Sequence, residues 1–271
     1  MLKNEFTNET KKVEDVLGNL HTLHRIKALK DFGDVHKGDL GGWLEKESNL
    51  SHEGNCWVYN DAMVYGNAMV FGDAGAYGNA LVYNDAQVYG TTGVYGDAQV
   101  YGNAQVFGHA RVCDNAKVYD EAQVHGFAWV YGHARVCDIA KVYDDAQVHG
   151  SAWVCDNVQV YGNAMVYDNA WVCDNAQVDG NAKVYDDAQL YDNAMVYDNA
   201  QVYGTALVYD DAQVYDDCEV YSKAKVYGEA QVFGHAKVYG HARIYDEAQV
   251  HGIARVCDNS VLCDDTEVWD D

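Results

Sequence analysis

Three cysteines in the middle of the chain are the residues whose type and spacing point most directly to chemistry. Cys137, Cys155 and Cys173 are 18 residues apart, so in a coil of that length they would stack on one face, about 4.8 Å from each other. Thiolates at such a distance can form a soft-metal or redox site. The alternative is that each cysteine replaces a tyrosine where Trp153 or Trp171 already covers the surface.

Carboxylates repeat with the same spacing, directly after these cysteines. The run has one acid every 18 residues and consists of Asp120, Asp138, Asp156, Asp174, Asp192 and Asp210. Like charges stacked in consecutive coils repel each other, and a cation relieves the repulsion. We therefore expect weak, nonspecific cation binding at the four central carboxylates. A Ca²⁺ site would need further oxygens, for example from Asn157, Asn175 and Asn193. The alternative is that Asp is simply a good corner residue.

The histidines do not form a catalytic group in the sequence. His109 and His235 share one expected corner, and His133 and His241 share another. Each pair is separated by so many coils that no three histidines can meet within one chain. A base without a pocket or an oxyanion donor is a weak catalyst. The sequence therefore predicts no catalytic residue and no cofactor.

The elements that position these residues are hexads, repeated without insertion from Cys56 to Asp271, which makes 36 copies in 216 residues. Each reads roughly Ala-x-Val-Tyr-Gly/Asp-Asn/Asp, and the 22 tyrosines of the chain all fall in one slot. Side chains alternate along an extended strand, so Ala62 and Val64 point inward, whereas Met63 and Tyr65 point outward. Gly and Asp or Asn then turn the chain at a corner. A fixed hexapeptide period predicts a parallel β-helix.

Three hexads would close a triangular coil of 18 residues, and the outward glutamines support this number. Eight of the twelve differ by multiples of 18, and they are Gln87, Gln105, Gln123, Gln159, Gln177, Gln213, Gln231 and Gln249. Stacked amides of this kind stabilise neighbouring strands. Against 18, the segment 108–126 nearly recurs at 132–150, which is a shift of 24. We favour 18 residues per coil.

The pattern Val-Tyr-Gly-Asn-Ala-x resembles the hexapeptide repeat of left-handed parallel β-helices. This resemblance implies an all-β, single-stranded, left-handed triangular β-helix, which we place at residues 50–271. The family contains acyltransferases and γ-class carbonic anhydrases, which use histidines at trimer interfaces together with loops that interrupt the hexads. No such loop interrupts the hexads of this chain.

Residues 1–49 differ in composition and are predicted to cap the helix, since a solenoid end exposes unpaired backbone and apolar core. We expect a short helix within Asn8–Asn19, with Val13, Val16 and Leu17 on one side, and a strand at Thr22–Leu29. The sequence RIKALKDFGDVHKGDLGGWLE, followed by NLSHEGNCWVYNDA, resembles the N-terminal signature of uncharacterised bacterial YdcK-like hexapeptide-repeat proteins. This resemblance implies another capped β-helix and no established activity.

The charge is concentrated in the hexads, which carry ten Lys and Arg against 32 Asp and Glu. Such acidity opposes binding to nucleic acid or anionic membranes. Eight cysteines without a disulfide framework, and no apolar signal segment, predict a cytoplasmic protein. We interpret the chain as a non-enzymatic structural or protein-binding rod that forms a dimer or trimer through its Tyr-rich faces. The alternatives are an acidic decoy that imitates nucleic acid, and a trimeric acyltransferase or γ-carbonic-anhydrase relative.

Overall fold

The computed structural model describes residues 2–15 and 18–270 of the 271-residue chain. The chain divides into two compact units, Met1–Gly132 and His133–Asp271. Both are all-β parallel solenoids with about 18 residues per coil. Among the described residues, no helix is long and apolar enough to cross a membrane.

The first unit begins with three longer strands, β1 (Asn4–Glu14), β2 (Leu20–Ala28) and β3 (Leu40–Leu44), and a 3-10 helix at Glu47–Asn49. β1 and β2 form an antiparallel hairpin, and β3 pairs antiparallel with β2 and parallel with the first hexad strand of that face. The predicted strand at Thr22–Leu29 is therefore confirmed as β2. The predicted helix at Asn8–Asn19 is wrong over Asn8–Glu14, because pairing with β2 overrides the weak helical period. Val16 and Leu17 lie outside the described residues.

Thirteen two-residue strands follow in the first unit, on three faces. The first face carries β5 (Met63–Val64), β8 (Leu81–Val82), β11 (Gln99–Val100) and β14 (Lys117–Val118). The second face carries β4 (Trp57–Val58), β7 (Gly75–Ala76), β10 (Gly93–Val94), β13 (Arg111–Val112) and β16 (Trp129–Val130). The third face carries β6 (Met69–Val70), β9 (Gln87–Val88), β12 (Gln105–Val106) and β15 (Gln123–Val124).

The second unit has the same construction, again with three faces. One face carries β17 (Arg135–Val136), β20 (Trp153–Val154), β23 (Trp171–Val172), β26 (Gln189–Leu190), β29 (Leu207–Val208), β32 (Lys225–Val226), β35 (Arg243–Ile244) and β38 (Val261–Leu262). Another carries β19 (Gln147–Val148), β22 (Met165–Val166), β25 (Lys183–Val184), β28 (Gln201–Val202), β31 (Glu219–Val220), β34 (Lys237–Val238) and β37 (Arg255–Val256). The last carries β18 (Lys141–Val142), β21 (Gln159–Val160), β24 (Gln177–Val178), β27 (Met195–Val196), β30 (Gln213–Val214), β33 (Gln231–Val232), β36 (Gln249–Gly252) and β39 (Glu267–Asp270).

The register confirms the coil length of 18 residues and excludes 24. Gln87 pairs with Gln105, and Gln159 pairs with Gln177, so the two residues of each pair are 18 positions apart. The backbone hydrogen bonds agree with this register: Met165 pairs with Lys183, and its N–H donates at 2.9 Å to the carbonyl of Ala182, the residue before Lys183. Because each coil uses its N–H groups in this way, proline is excluded from the strands.

The Ala and Val slots form the core, as the alternation predicts. Ala62 and Val64 have no exposed surface, and almost every residue in these two slots is buried in the same way. At the corners the first residue adopts a positive φ, for example 66° at Gly66 and 57° at Asp138. Gly and Asp tolerate this conformation better than other residues. The hexad therefore specifies the strand, the core and the corner at once.

Candidate functional site

Most tyrosines form ladders in which each ring stacks on the ring one coil away. In the second unit, Tyr185 lies 4.9 Å from Tyr203 with an interplanar angle of 6°, and Tyr203 lies 4.9 Å from Tyr221. Ring hydroxyls also donate to neighbouring polar groups, such as Tyr185 to Gln201 at 3.3 Å. Stacking covers the ring faces, so the ladders are half-buried and stabilise the coils. Tyr65 and Tyr83 are fully covered, because they pack against Leu23 and Trp43.

Three of the five exposed aromatic side chains of the described residues line one groove in the first unit, and the other two are Trp171 and Trp269. The groove has a volume of about 350 Å³ and is lined by Thr91, Tyr95, His109, Arg111, Phe127 and Trp129. Phe127 is 63% exposed, Trp129 38% and Tyr95 36%. Arg111 lies between Gly93 and Trp129 in the sheet. Gly93 leaves the space open, and a β-carbon there would collide with the Tyr95 ring.

The groove is basic within an acidic solenoid. The Arg111 guanidinium lies 5.4 Å from the centre of the Trp129 ring, in a cation–π contact. His109 hydrogen-bonds to the Thr91 hydroxyl and stacks on Phe127 with ring centres 4.7 Å apart. The lining contains no carboxylate, and among the described residues Arg111 has no ion-pair partner. The groove therefore presents apolar rings and an unneutralised cation to solvent.

Sequence reasoning missed this groove, although the sequence carried a signal for it. Three lining residues depart from the hexad consensus, since Thr91, His109 and Phe127 replace corner Asn or Asp in consecutive coils. Arg111 and Trp129 occupy the variable slot two residues after His109 and Phe127. In so regular a repeat, non-consensus residues in consecutive coils indicate a surface that differs from the rest of the solenoid. The residues next to His109 in the groove are Thr91 and Phe127, and not the other histidine of its corner.

The predicted thiol column is present in the second unit, but it is covered. Cys137 is 2% exposed and Cys155 7% exposed, although their slot points outward. The indole of Trp153 donates to the Cys137 sulfur at 3.2 Å, and the Trp153 and Trp171 rings stack 5.5 Å apart. The ligand atoms of Cys155, Asp156 and Cys173 all lie within 4.8 Å of one another.

The predicted aspartate corner also forms a ladder, and its carboxylates bind backbone groups. Asp138 Oδ2 accepts the N–H of Asp156 at 3.3 Å, and Asp156 Oδ2 accepts the N–H of Asp174 at 3.3 Å. Asp192 continues the series, donating its N–H to Asp174 Oδ2 at 3.3 Å. The adjacent amides bond along their own ladder, Asn157 to Asn175 at 3.1 Å and Asn175 to Asn193 at 3.2 Å. The corner thus has a structural role, since an N–H to carboxylate bond is charge-assisted.

Comparison with known proteins finds similarity in the repeat. Residues 77–90, 158–174 and 188–204 match the family model described as the YdcK beta solenoid repeat. A protein of Escherichia coli (strain K12), named uncharacterized acetyltransferase YdcK, is 50% identical to this chain over 38 residues. The matched stretch covers 14% of this chain and 12% of that protein. The predicted resemblance to hexapeptide-repeat β-helices and YdcK-like proteins is thereby confirmed.

Proposed function

We propose that this hexapeptide-repeat β-solenoid is a non-enzymatic scaffold that associates side by side with a second copy of itself, with the Arg111–Trp129 groove as its main contact. The observation that carries the proposal is the groove itself. It brings together Tyr95, Phe127 and Trp129, three of the five exposed aromatic side chains of the described residues, whereas most other rings are half-buried. Aromatic residues and Arg are the groups enriched at protein interfaces, and they dominate the binding energy there.

Charge complementarity favours a second copy as the occupant. Among the described residues of its own chain, Arg111 has no carboxylate partner, and a second copy offers exposed carboxylates at most of its corners. A buried, hydrogen-bonded Arg–carboxylate pair fixes the register of an interface. Side-by-side contact also joins aromatic surface to aromatic surface, which a closed symmetric dimer permits. The groove lies on a regular sheet, so it is already rigid before association.

The association is expected to strengthen with salt. Each chain carries a formal net charge of −24, so repulsion between two whole chains outweighs the attraction of a few Arg–carboxylate pairs. Raising the ionic strength screens this repulsion, with a Debye length of about 10 Å at 0.1 M salt. Sedimentation at increasing NaCl concentration tests this directly. A dimer that dissociates as NaCl rises would contradict an interface based on aromatic contact.

Removing the exposed rings is expected to separate the dimer. The double variant Phe127→Asn and Trp129→Gln restores residues common in those two slots, so the coil should fold normally. If the two rings form a hot spot of about 2 kcal/mol, the dissociation constant rises about 30-fold. Met69→Gln removes another exposed apolar side chain of the first unit and should change nothing. Light scattering after gel filtration measures the mass of each protein.

Four outcomes would refute this proposal, and the first three concern the chain alone. They are a monomer at every concentration of the wild-type protein, open filaments that lengthen with concentration, and an unchanged dimer in the double variant. Binding of a different protein to the groove of a monomeric chain would also count against self-association.

Acyl transfer is a second candidate, favoured by the name of the Escherichia coli relative and by His109 in the groove. In this alternative, His109 would act as the general base for an acceptor held between Trp129 and Tyr95. The assay is release of free coenzyme A from acetyl-CoA with candidate amine acceptors, compared with His109→Asn. Equal background release by both proteins removes this alternative and leaves the scaffold untouched.

A further inference from the structure

The thiol column of the second unit brings three potential metal donors close together. Cys155 and Cys173 occupy the same slot in consecutive coils, and the strands that carry them pair in register at Trp153 and Trp171. The two sulfur atoms and a carboxylate oxygen of Asp156 lie within 4.8 Å of one another. Two thiolates on one tetrahedral Zn²⁺ sit about 3.8 Å apart, given Zn–S bonds of about 2.3 Å. The upper limit of 4.8 Å between the ligand atoms is compatible with this sulfur–sulfur distance.

We propose that Cys155, Asp156 and Cys173 bind one thiophilic d¹⁰ cation, with Zn²⁺ as the natural ion and solvent in the fourth position. The donor set, two sulfurs and one oxygen, suits Zn²⁺ and disfavours Mg²⁺ and Ca²⁺, which take oxygen ligands. This site is independent of the proposed self-association, since the groove lies in the first unit.

The surroundings of the three donors are organised for a partly closed site. Trp171 overlies its stacking partner Trp153 at 5.5 Å and restricts access to Cys155 from solvent. Access remains open on the side of Cys173, through a cavity of about 240 Å³ lined by Trp171, Cys173, Asp174, Gln189, Leu190 and Tyr191. Asp174 adds negative charge at this entrance, and Cys173 Sγ lies 3.6 Å from its Oδ2. A cation can thus approach along an acidic edge.

Binding must displace protons from the thiols. The balanced step is Zn²⁺ plus two thiols giving a Zn(thiolate)₂ centre and two protons, with no oxidant or reductant. The groups around the thiols are Arg135, Cys137, Asp138, Asp156, Asp174 and Tyr191. Because binding releases two thiol protons, affinity is expected to rise with pH.

Titration of the full chain with Cd²⁺, in the presence of a phosphine reductant, tests the site. We expect one Cd²⁺ per chain, an ultraviolet thiolate-to-cadmium charge-transfer band, and release of protons on binding. Cys173→Tyr restores the residue most common in that slot and should weaken Cd²⁺ binding by more than about 100-fold, beyond the 10–100-fold typical of outer-shell changes. Asp156→Asn keeps an acceptor for the N–H of Asp174 and replaces the carboxylate ligand by a neutral amide oxygen, so it should weaken Cd²⁺ binding, but by less than Cys173→Tyr.

The matched control is Cys113→Tyr. Cys113 occupies the same slot in the first unit, where Tyr95 and Tyr131 are its neighbours one coil away, so no second thiol is available there. This variant should bind Cd²⁺ like the wild-type protein. Absence of the charge-transfer band, or a band of the same affinity in Cys173→Tyr, would overturn the proposal. Binding that depends on the acidic corner alone, without a thiolate band, would overturn it as well.

Discussion

Replacing Val166 by Asp is expected to unfold the coils around it and to destabilise the second unit by more than about 4 kcal/mol, the range reserved for severe core defects. Val166 has no exposed surface and lies in register between Val148 and Val184. A carboxylate in this Val and Ala core has no hydrogen-bond donor or cation as a partner, and burying an unpaired charge is among the costliest changes in a protein.

The matched control is the neighbouring substitution Met165→Asp. Met165 lies on the same strand, half-buried on the outer face, between Gln147 and Lys183. A carboxylate there remains hydrated and adjacent to Lys183, so the effect should stay within about 0.5 kcal/mol. Circular dichroism during urea unfolding compares the midpoints, since a long repeat array need not unfold in one step. Equal shifts in the two variants would refute the assignment of inward and outward slots.

The repeat made most of the fold predictable. Strand, core slot and corner recur in every hexad, so each inference about Ala62 or Gly66 was tested many times within the same sequence. The coil length followed from the glutamines, and the register of Gln87 with Gln105 confirms it. Local rules suffice here because each coil contacts chiefly its neighbours.

The sequence-based predictions that are wrong concern a segment outside the repeat, and also a place where a long side chain from one slot covers a residue in another. Asn8–Glu14 became a strand because it pairs with β2, and no local period reports a partner. Cys137 is buried because the Trp153 indole lies over it. Alternation along a strand predicts only that the Cys137 side chain points outward, and not whether a neighbour covers it. Finding the groove required a comparison of Thr91, His109 and Phe127 with the consensus of their corner slot. Departures from a repeat are therefore more informative about function than the repeat itself.

Replacing Asn49 by Ala is expected to detach the N-terminal cap from the first coil. Asn49 is fully buried, and its Nδ2 donates to the carbonyls of Gly66 at 3.1 Å and Ala68 at 2.8 Å. Its Oδ1 accepts the N–H of Lys46 at 2.8 Å. Alanine would leave these three backbone groups without their partner, at about 1–3 kcal/mol for each one that stays dry. We expect a loss of about 3–5 kcal/mol in the stability of the capped end.

Hydrogen exchange, with Asn199→Ala as the control, distinguishes the role of Asn49 from that of an ordinary corner amide. Asn199 accepts a hydrogen bond from Asn181 at 2.9 Å and donates one to Asp217 at 3.0 Å, but it is exposed, so water replaces both bonds in Asn199→Ala. Hydrogen exchange at the amides of Ala68 and Met69 should accelerate strongly in Asn49→Ala and stay unchanged in Asn199→Ala. Because a solenoid end without its cap exposes strand edges and core, the Asn49 variant should also aggregate more readily. Equal exchange rates in the two variants would mean that the cap is held by β3 and the hairpin, and that Asn49 is dispensable.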